Sequence, residues 1–269
     1  MRRLAPRQPT PVHRAGAEIE WRMLRRFEGS WTKRADLALA VSQRDAASLV
    51  AAAGGGVDVG IVPIGVEARE RQPFPARPEN HTLLSVATMH YPPNAEALRW
   101  FRDAIWPLIS AQHATARVDV VGPRPPEDLR AWGISDERVV VHGFVDDLDA
   151  LYRRAAVFIV PLLSGSGVRV KVLEALALGL PVVSTTVGID GLDVRHGEHL
   201  LVADDPLEFA AAVQRLLESP ELRARLGAAG RLRVLERYDW RVCCRPLIDA
   251  YDQLAVPRDG RPSLALSST

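Results

Sequence analysis

The spacing of apolar positions along the chain changes repeatedly, and each change marks a new element. From Ala17 to about Lys33, Ile19, Met23, Leu24, Phe27 and Trp31 recur at helical spacing, and Leu37 to Val41 then reads as a short strand. Ser42 has the residue type of an N-cap for a helix over Gln43 to Ala53, which Gly54, Gly55 and Gly56 end. A second short strand, Val57 to Val62, leads into the segment Pro63 to Pro78, whose four prolines and several charges make it a linker.

Beyond the linker, apolar runs and helical patterns alternate. Strands are expected at Leu83 to Ala87, Val118 to Val121, Val139 to Val141, Val157 to Val160, Val182 to Ser184 and Leu200 to Val202. Helices fall between them at Pro93 to His113, from Pro126, at Leu148 to Arg154 and at Val168 to Leu178, followed by closing helices at 206–217, 221–237 and 240–254. Parallel strands joined by helices satisfy such a pattern, so the fold class is α/β, a doubly wound, Rossmann-like parallel sheet of six strands. Two short strands and two helices cannot cover a parallel sheet of their own, so residues 16–66 read as a remnant of a second Rossmann-like domain, with Trp21, Met23 and Trp31 on an uncovered apolar side. The expected organisation is therefore a disordered start at 1–15, the remnant at 16–66, a linker at 67–80, the main domain at 81–237, a C-terminal helix at 238–255 packing back toward the N-terminal part, and a disordered tail at 256–269.

Charge narrows the partners. The 34 basic residues nearly match the 33 acidic ones, for a net charge of +1, so no global field draws the chain to nucleic acid and an anionic ligand must be met by local groups. The two cysteines, Cys243 and Cys244, are neighbours in a helical pattern, a poor geometry for a mutual disulfide, and a reducing cytoplasm fits. No apolar run approaches the roughly 18 residues of a membrane span, which leaves only peripheral association with the inner membrane face open. No His, Cys and Asp cluster has zinc or iron spacing.

The richest stretch is Ser164-Gly165-Ser166-Gly167-Val168-Arg169-Val170-Lys171-Val172-Leu173-Glu174, directly after the buried strand at 157–160. Strand, glycine loop and helix in that order place backbone N–H groups at the carboxyl edge of the sheet, where a phosphate binds well. Arg169 and Lys171 add charge in the first helical turn, where the helix dipole disfavours cations, an arrangement an anion shared between them would repair. Only Lys33 and Lys171 are lysines among the basic residues. Glu174 stands three residues on, flanked by apolar neighbours. A carboxylate so placed needs partners, which ribose hydroxyls or an i, i+3 pair with Lys171 would supply. Phe144, after the strand at 139–141, would either flank a base or fill the core. His90 and His196, also in loops, are most simply polar loop residues.

The segment Gly165 to Thr185, with Gly179 and Pro181-Val182-Val183-Ser184-Thr185, resembles the donor site of family 4 glycosyltransferases with the GT-B fold. Val41-Ser42, Val62-Pro63-Ile64-Gly65-Val66, Met89-His90-Tyr91-Pro92-Pro93-Asn94, Val121-Gly122, His142-Gly143-Phe144-Val145 and Gly188 to Asp193 agree in order and spacing, so the resemblance runs from about Ala17 to Leu254. It implies that Glu174 binds the nucleotide ribose, that His142, Phe144 and Val145 lie at the base, and that Gly165, Ser166, Gly167 and Val168 hold the diphosphate and sugar. Two departures stand out: Ser166 occupies the place of the first of the family's two glutamates, and the basic pair expected after Ala87 is absent, so Arg169 and Lys171 would take its catalytic role.

The resemblance implies retaining transfer of a sugar from a nucleotide-diphosphate donor to an unknown glycan, lipid or small-molecule acceptor. The donor sugar nucleotide is a substrate, with no separate cofactor. The acceptor wall would come from an N-terminal domain that this chain mostly lacks, or from a partner. Two alternatives follow: a non-catalytic nucleotide-binding fragment or half-enzyme, and an epimerase, for which the cleft would need acid and base side chains beyond scattered histidines.

Overall fold

A computed structural model of the chain describes residues 11–74, 81–165 and 167–255. The expectations for 1–10, 75–80, Ser166 and 256–269 fall outside the described residues. The chain divides into two compact units, one formed by residues up to Ile64 together with those from Cys243 onward, the other by Gly65–Val242.

In the first unit, α1 (Pro11–Arg34) packs on α2 (Gln43–Ala53), and β1 (Ala38–Ala40) pairs in parallel with β2 (Val59–Ile61). The α1–α2 contact is close at Gly29, where a side-chain carbon would lie 2.1 Å from the Ala52 carbonyl oxygen, and Arg25 donates to the Ala51 carbonyl. Ser42 caps α2 through the Asp45 N–H, and Gly54 ends it in the left-handed region. The described part of helix α1 reaches back to Pro11, earlier than its apolar pattern shows. Its stripe of Ile19, Met23, Phe27 and Trp31 is exposed, as expected. Trp21 departs from that expectation: it is half-buried, with the Arg25 guanidinium over its ring.

The second unit is built on six parallel strands, β3 (Thr82–Val86), β4 (Arg117–Val121), β5 (Val139–Gly143), β6 (Ala155–Val160), β7 (Val182–Ser184) and β8 (Leu201–Val202), in the order β5-β4-β3-β6-β7-β8. This is the doubly wound arrangement, with two strands laid outward to one side of β3 and three to the other. Every residue of β6 is buried, as befits a strand covered on both faces. Val157 and Ile159 point into one core with Phe101, Ile105, Trp132 and Phe209, whereas Phe158 and Val160 point into another with Leu173, Leu176 and Val234.

The first core is covered by α3 (Pro92–Trp100), α4 (Trp106–Gln112), α5 (Glu127–Ser135) and α8 (Pro206–Glu218). The second is covered by α6 (Asp149–Arg154), α7 (Val170–Ala177) and α9 (Pro220–Arg237). The single helix expected from Pro93 to His113 is interrupted by a π-helical segment, Phe101–Ile105, across which the Trp106 N–H reaches the Phe101 carbonyl. Pro107 explains it: with no N–H to give and a ring that would strike the carbonyl four residues back, it leaves the preceding turn to widen. α10 (Trp240–Cys243) and α11 (Arg245–Ala255) end the described chain.

The described part of the linker is pinned to the second unit. Val66 donates to the Tyr238 carbonyl at 2.7 Å, buried Asp239 accepts from the Arg69 N–H, Ala68 is fully buried, and the Phe74 N–H bonds the Leu178 carbonyl. Among the described residues no helix is long and apolar enough to cross a membrane.

Candidate functional site

The strand order reverses between β3 and β6, so the segments leaving their carboxyl ends diverge and open a crevice at the place where doubly wound sheets take ligands. One wall is the loop from Ala87 to Tyr91 with the start of α3. The other is formed by residues 161–165 and 167–169 with the start of α7. The first loop is held by Ala87 N–H to the Val121 carbonyl and by the Asn94 side chain to the Thr88 carbonyl. The second is anchored where the Thr185 hydroxyl donates to the Leu162 carbonyl.

Two glycines shape the second loop, with φ of 119° at Gly165 and 88° at Gly167, conformations that L side chains rarely adopt. A side-chain carbon on Gly165 would lie 2.7 Å from the Arg169 guanidinium and 3.6 Å from the Tyr91 hydroxyl, so guanidinium, phenol and loop backbone meet there. At Gly167 the surroundings are open. Arg169 takes the N-cap position of α7 and no described side chain caps the helix, leaving its first N–H groups without a side-chain acceptor.

The site cations are held in surroundings that disfavour charge. Burial, reinforced by the neighbouring Arg169 charge, pulls the Lys171 ammonium from its ordinary 10.5 to about 8. Burial also lowers the affinity of the Arg169 guanidinium for its proton, against the pull of Tyr91 and Asp190. One turn along α7, the half-buried Glu174 carboxylate is pushed upward by burial, and Arg71 opposes the push only in part. Cations desolvated beside a glycine loop, with a desolvated carboxylate a turn away, form a place that an anion bearing nearby hydroxyls would complete.

The structure thus gathers Gly165, Gly167, Val168, Arg169, Lys171 and Glu174 at one edge. Phe144 stands just past β5, 69% exposed, so its ring is free to flank a ligand rather than fill the core, and the half-buried Val145 packs into the second core. His142 is used differently. Its Nε2 lies 2.7 Å from Oδ1 of Asp119, a buried carboxylate in mid-strand that Arg154 grips through two hydrogen bonds of 2.8 Å. The ring is thereby tied to the interior of the sheet, while Gly143 carries the backbone to the edge. Arg154→Ala should lower stability by about 1–3 kcal/mol, because Asp119 stays buried with less compensation. Thermal unfolding checks it, and an unchanged midpoint would show that the cluster is not structural. His90 is exposed in the loop after β3, and the Nδ1 of His196 accepts from the Val202 N–H at 2.9 Å, which gives that ring a local role in the fold.

Sequence reasoning missed Tyr91, Glu96, Asp190 and Arg71 as neighbours of these groups. Glu96 on α3 accepts a hydrogen bond from the Ser164 hydroxyl at 3.0 Å, across the crevice. The available signal was the Pro-Pro pair that opens α3, which fixes the helix start beside the end of β3 and so brings its first turn to the same sheet edge.

Comparison with known proteins agrees with this geometry. Residues 80–219 match the family glycosyl transferases group 1. The phosphatidyl-myo-inositol mannosyltransferase of Mycobacterium leprae is 34% identical over 142 residues, 51% of this chain and 38% of that protein. The MMP alpha-(1->4)-mannosyltransferase of Mycolicibacterium hassiacum is 30% identical over 210 residues, 72% of this chain and 48% of that protein. The chain thus spans about half the length, or less, of these curated relatives. Among solved structures, sucrose-phosphate synthase from Thermosynechococcus elongatus superposes with a TM-score of 0.68 at 23% identity, covering 84% of this chain and 60% of that one. Anabaena HepE in complex with UDP and glucose superposes with a TM-score of 0.67 at 16% identity, covering 86% and 67%. The two superpositions show the GT-B fold, and the match across the sheet and its glycine loop shows more: the chain belongs to the glycosyl transferases group 1 family.

Proposed function

We propose that this chain supplies the donor-binding half of a retaining glycosyltransferase that moves a sugar from a nucleotide-diphosphate donor to an acceptor held by another domain. The observation that carries the reading is the placement of Arg169 at the N-cap and Lys171 in the first turn of α7, behind a glycine loop at the reversal of strand order. When the glycosidic bond to the nucleotide breaks, negative charge grows on the departing diphosphate. Fixed positive charge and unsatisfied N–H groups at that point stabilise it without having to reorganise. Glu174 would accept from the ribose hydroxyls, and Phe144 and the backbone at Gly143 would border the base. The mannosyltransferase relatives and the neighbour solved with UDP and glucose support a sugar nucleotide as ligand. In this reading no separate cofactor takes part.

Calorimetry with UDP and GDP tests it. Glu174→Ala should weaken whichever nucleoside diphosphate binds by about 1–3 kcal/mol, through loss of charge-assisted hydrogen bonds to the ribose. Equal affinities in both proteins would leave Glu174 as a structural carboxylate and sink the assignment.

A second reading is that the chain binds nucleotide but turns over only with a separate acceptor domain. The uncovered apolar stripe of α1 and the two-stranded sheet beside it favour this reading, because such surfaces ordinarily have a covering layer. Sugar transfer by the 269-residue chain alone, as a monomer, would overturn it.

A further inference from the structure

A glycine loop that must receive a diphosphate carries a conformational cost. Gly165 and Gly167 both sit at positive φ, and glycine has more backbone freedom to lose than any other residue, so a loop left to itself would spend little time in the receptive shape. The loop is braced from across the crevice. The Ser164 hydroxyl donates to Oε2 of Glu96 at 3.0 Å, a bond between residues 68 apart in sequence. One residue on, the space beside Gly165 is bounded by the Arg169 guanidinium and the Tyr91 hydroxyl. Glu96 is itself well seated, because Ala95 and Ala97 on either side of it are buried and the Asn94 side chain ties the head of α3 to the Thr88 carbonyl. A carboxylate is an unexpected group to keep beside an anion site, since it repels the ligand. Its hydrogen bond to the loop gives it a reason to be there.

On the donor-site reading above, we infer that Glu96 is a positioning residue: through Ser164 it holds the glycine loop in the shape that accepts the donor's diphosphate, so that the wall built from β3 and α3 sets the affinity of the wall built from β6 and α7. Glu96 acts through the loop and does not touch the phosphate. Its effect on nucleotide affinity therefore requires the Ser164 hydroxyl.

The test uses the full chain, with UDP, GDP, UDP-glucose and GDP-mannose as probes in calorimetry and thermal unfolding recorded on every protein. Binding of at least one probe by the wild type is the condition set by the donor-site reading, and binding of none overturns that reading and this inference together. Where a probe binds, Glu96→Ala and Ser164→Ala should each weaken the nucleoside diphosphate and its sugar conjugate alike, by about five- to tenfold, the loss of one hydrogen bond. The double variant should be no weaker than either single one, and Ser164→Thr, which keeps the hydroxyl, should bind as the wild type does. Losses that multiply in the double variant overturn the coupling. A loss confined to the sugar conjugates also overturns it, because Glu96 would then be touching the sugar directly. A loss of affinity matched by a fall in melting temperature that Ser164→Thr does not avoid would show a general effect on folding and overturn it as well.

Discussion

Lys171→Met should make the ligand-free chain more stable and, in the same protein, remove most of its affinity for nucleoside diphosphates. The two effects share one cause. The ammonium sits where burial and the Arg169 charge pull it down to about 8, so the folded state bears the cost of a charged group in unfavourable surroundings. An unbranched apolar side chain of similar length removes that cost, for an expected gain of about 1–2 kcal/mol in denaturant unfolding. On the proposed donor-site reading a diphosphate loses a fixed charge, and its affinity should fall by roughly ten- to a hundredfold while that of the bare nucleoside changes little. Proton linkage gives an independent check. Between about 8 and the unfolded value of 10.5, the unfolded chain holds more proton on this lysine than the folded chain does, so the stability of the wild type should rise with pH across that window. Diphosphate affinity should fall over the same window as the ammonium discharges, and Lys171→Met should flatten both trends. A variant that loses stability, or that weakens nucleoside and diphosphate equally, would show that Lys171 serves the fold rather than the ligand.

Gly122→Ala should be among the most damaging small substitutions in the chain. Gly122 follows β4 with φ of 154°, and a side-chain carbon there would lie 1.6 Å from the carbonyl oxygen of Ala87, which opens the loop leading to Tyr91 and Glu96. Neither partner can yield easily, since the Gly122 N–H bonds the Gly143 carbonyl at 2.7 Å and the Ala87 N–H bonds the Val121 carbonyl at 2.8 Å. The expected cost is at least about 3 kcal/mol, from overlap between two backbone segments and from the strained φ. Chemical denaturation measures it. A variant of near wild-type stability would mean that the two loop ends move apart freely, contrary to the hydrogen bonds that join them.

Much of this was legible in the sequence because the sheet announces itself. A run such as Ala155–Val160, apolar on both faces and too short for a helix, reads as a covered parallel strand, and its alternation with helical patterns and five further short strands left little choice of architecture. The glycine loop was legible for a related reason: strand, glycines and helix in succession fix where the backbone goes, and Lys171 and Glu174 are carried along on the helix. What stayed hidden depended on neighbours distant in sequence. His142 shows no sign in its own segment that Asp119 and Arg154 will claim its ring. Glu96 looks like any glutamate on an amphipathic helix until Ser164, 68 residues later, is brought opposite it. The π segment was hidden because apolar spacing reports which residues face inward and is a poor guide to one extra residue in a turn.

That extra residue makes the helix between β3 and β4 behave as a keyed shaft. The stretch before Phe101 presents Glu96 to the glycine loop, and the stretch after Ile105 presents Trp106 and Ile109 to the first core. Each residue of an α-helix turns it by about 100°, and the five residues of the wide turn cover about the angle that four cover in a regular helix, so the turn holds one residue more than the bearing of the two halves requires. The core side chains and the crevice carboxylate both keep their bearing because the surplus residue is taken up inside the wide turn. The wide turn at 101–105 is therefore the one place in this helix where a residue can be lost without harm to register, whereas a change of length on either side of it would pass an error of register from the packed interior to the mouth of the crevice.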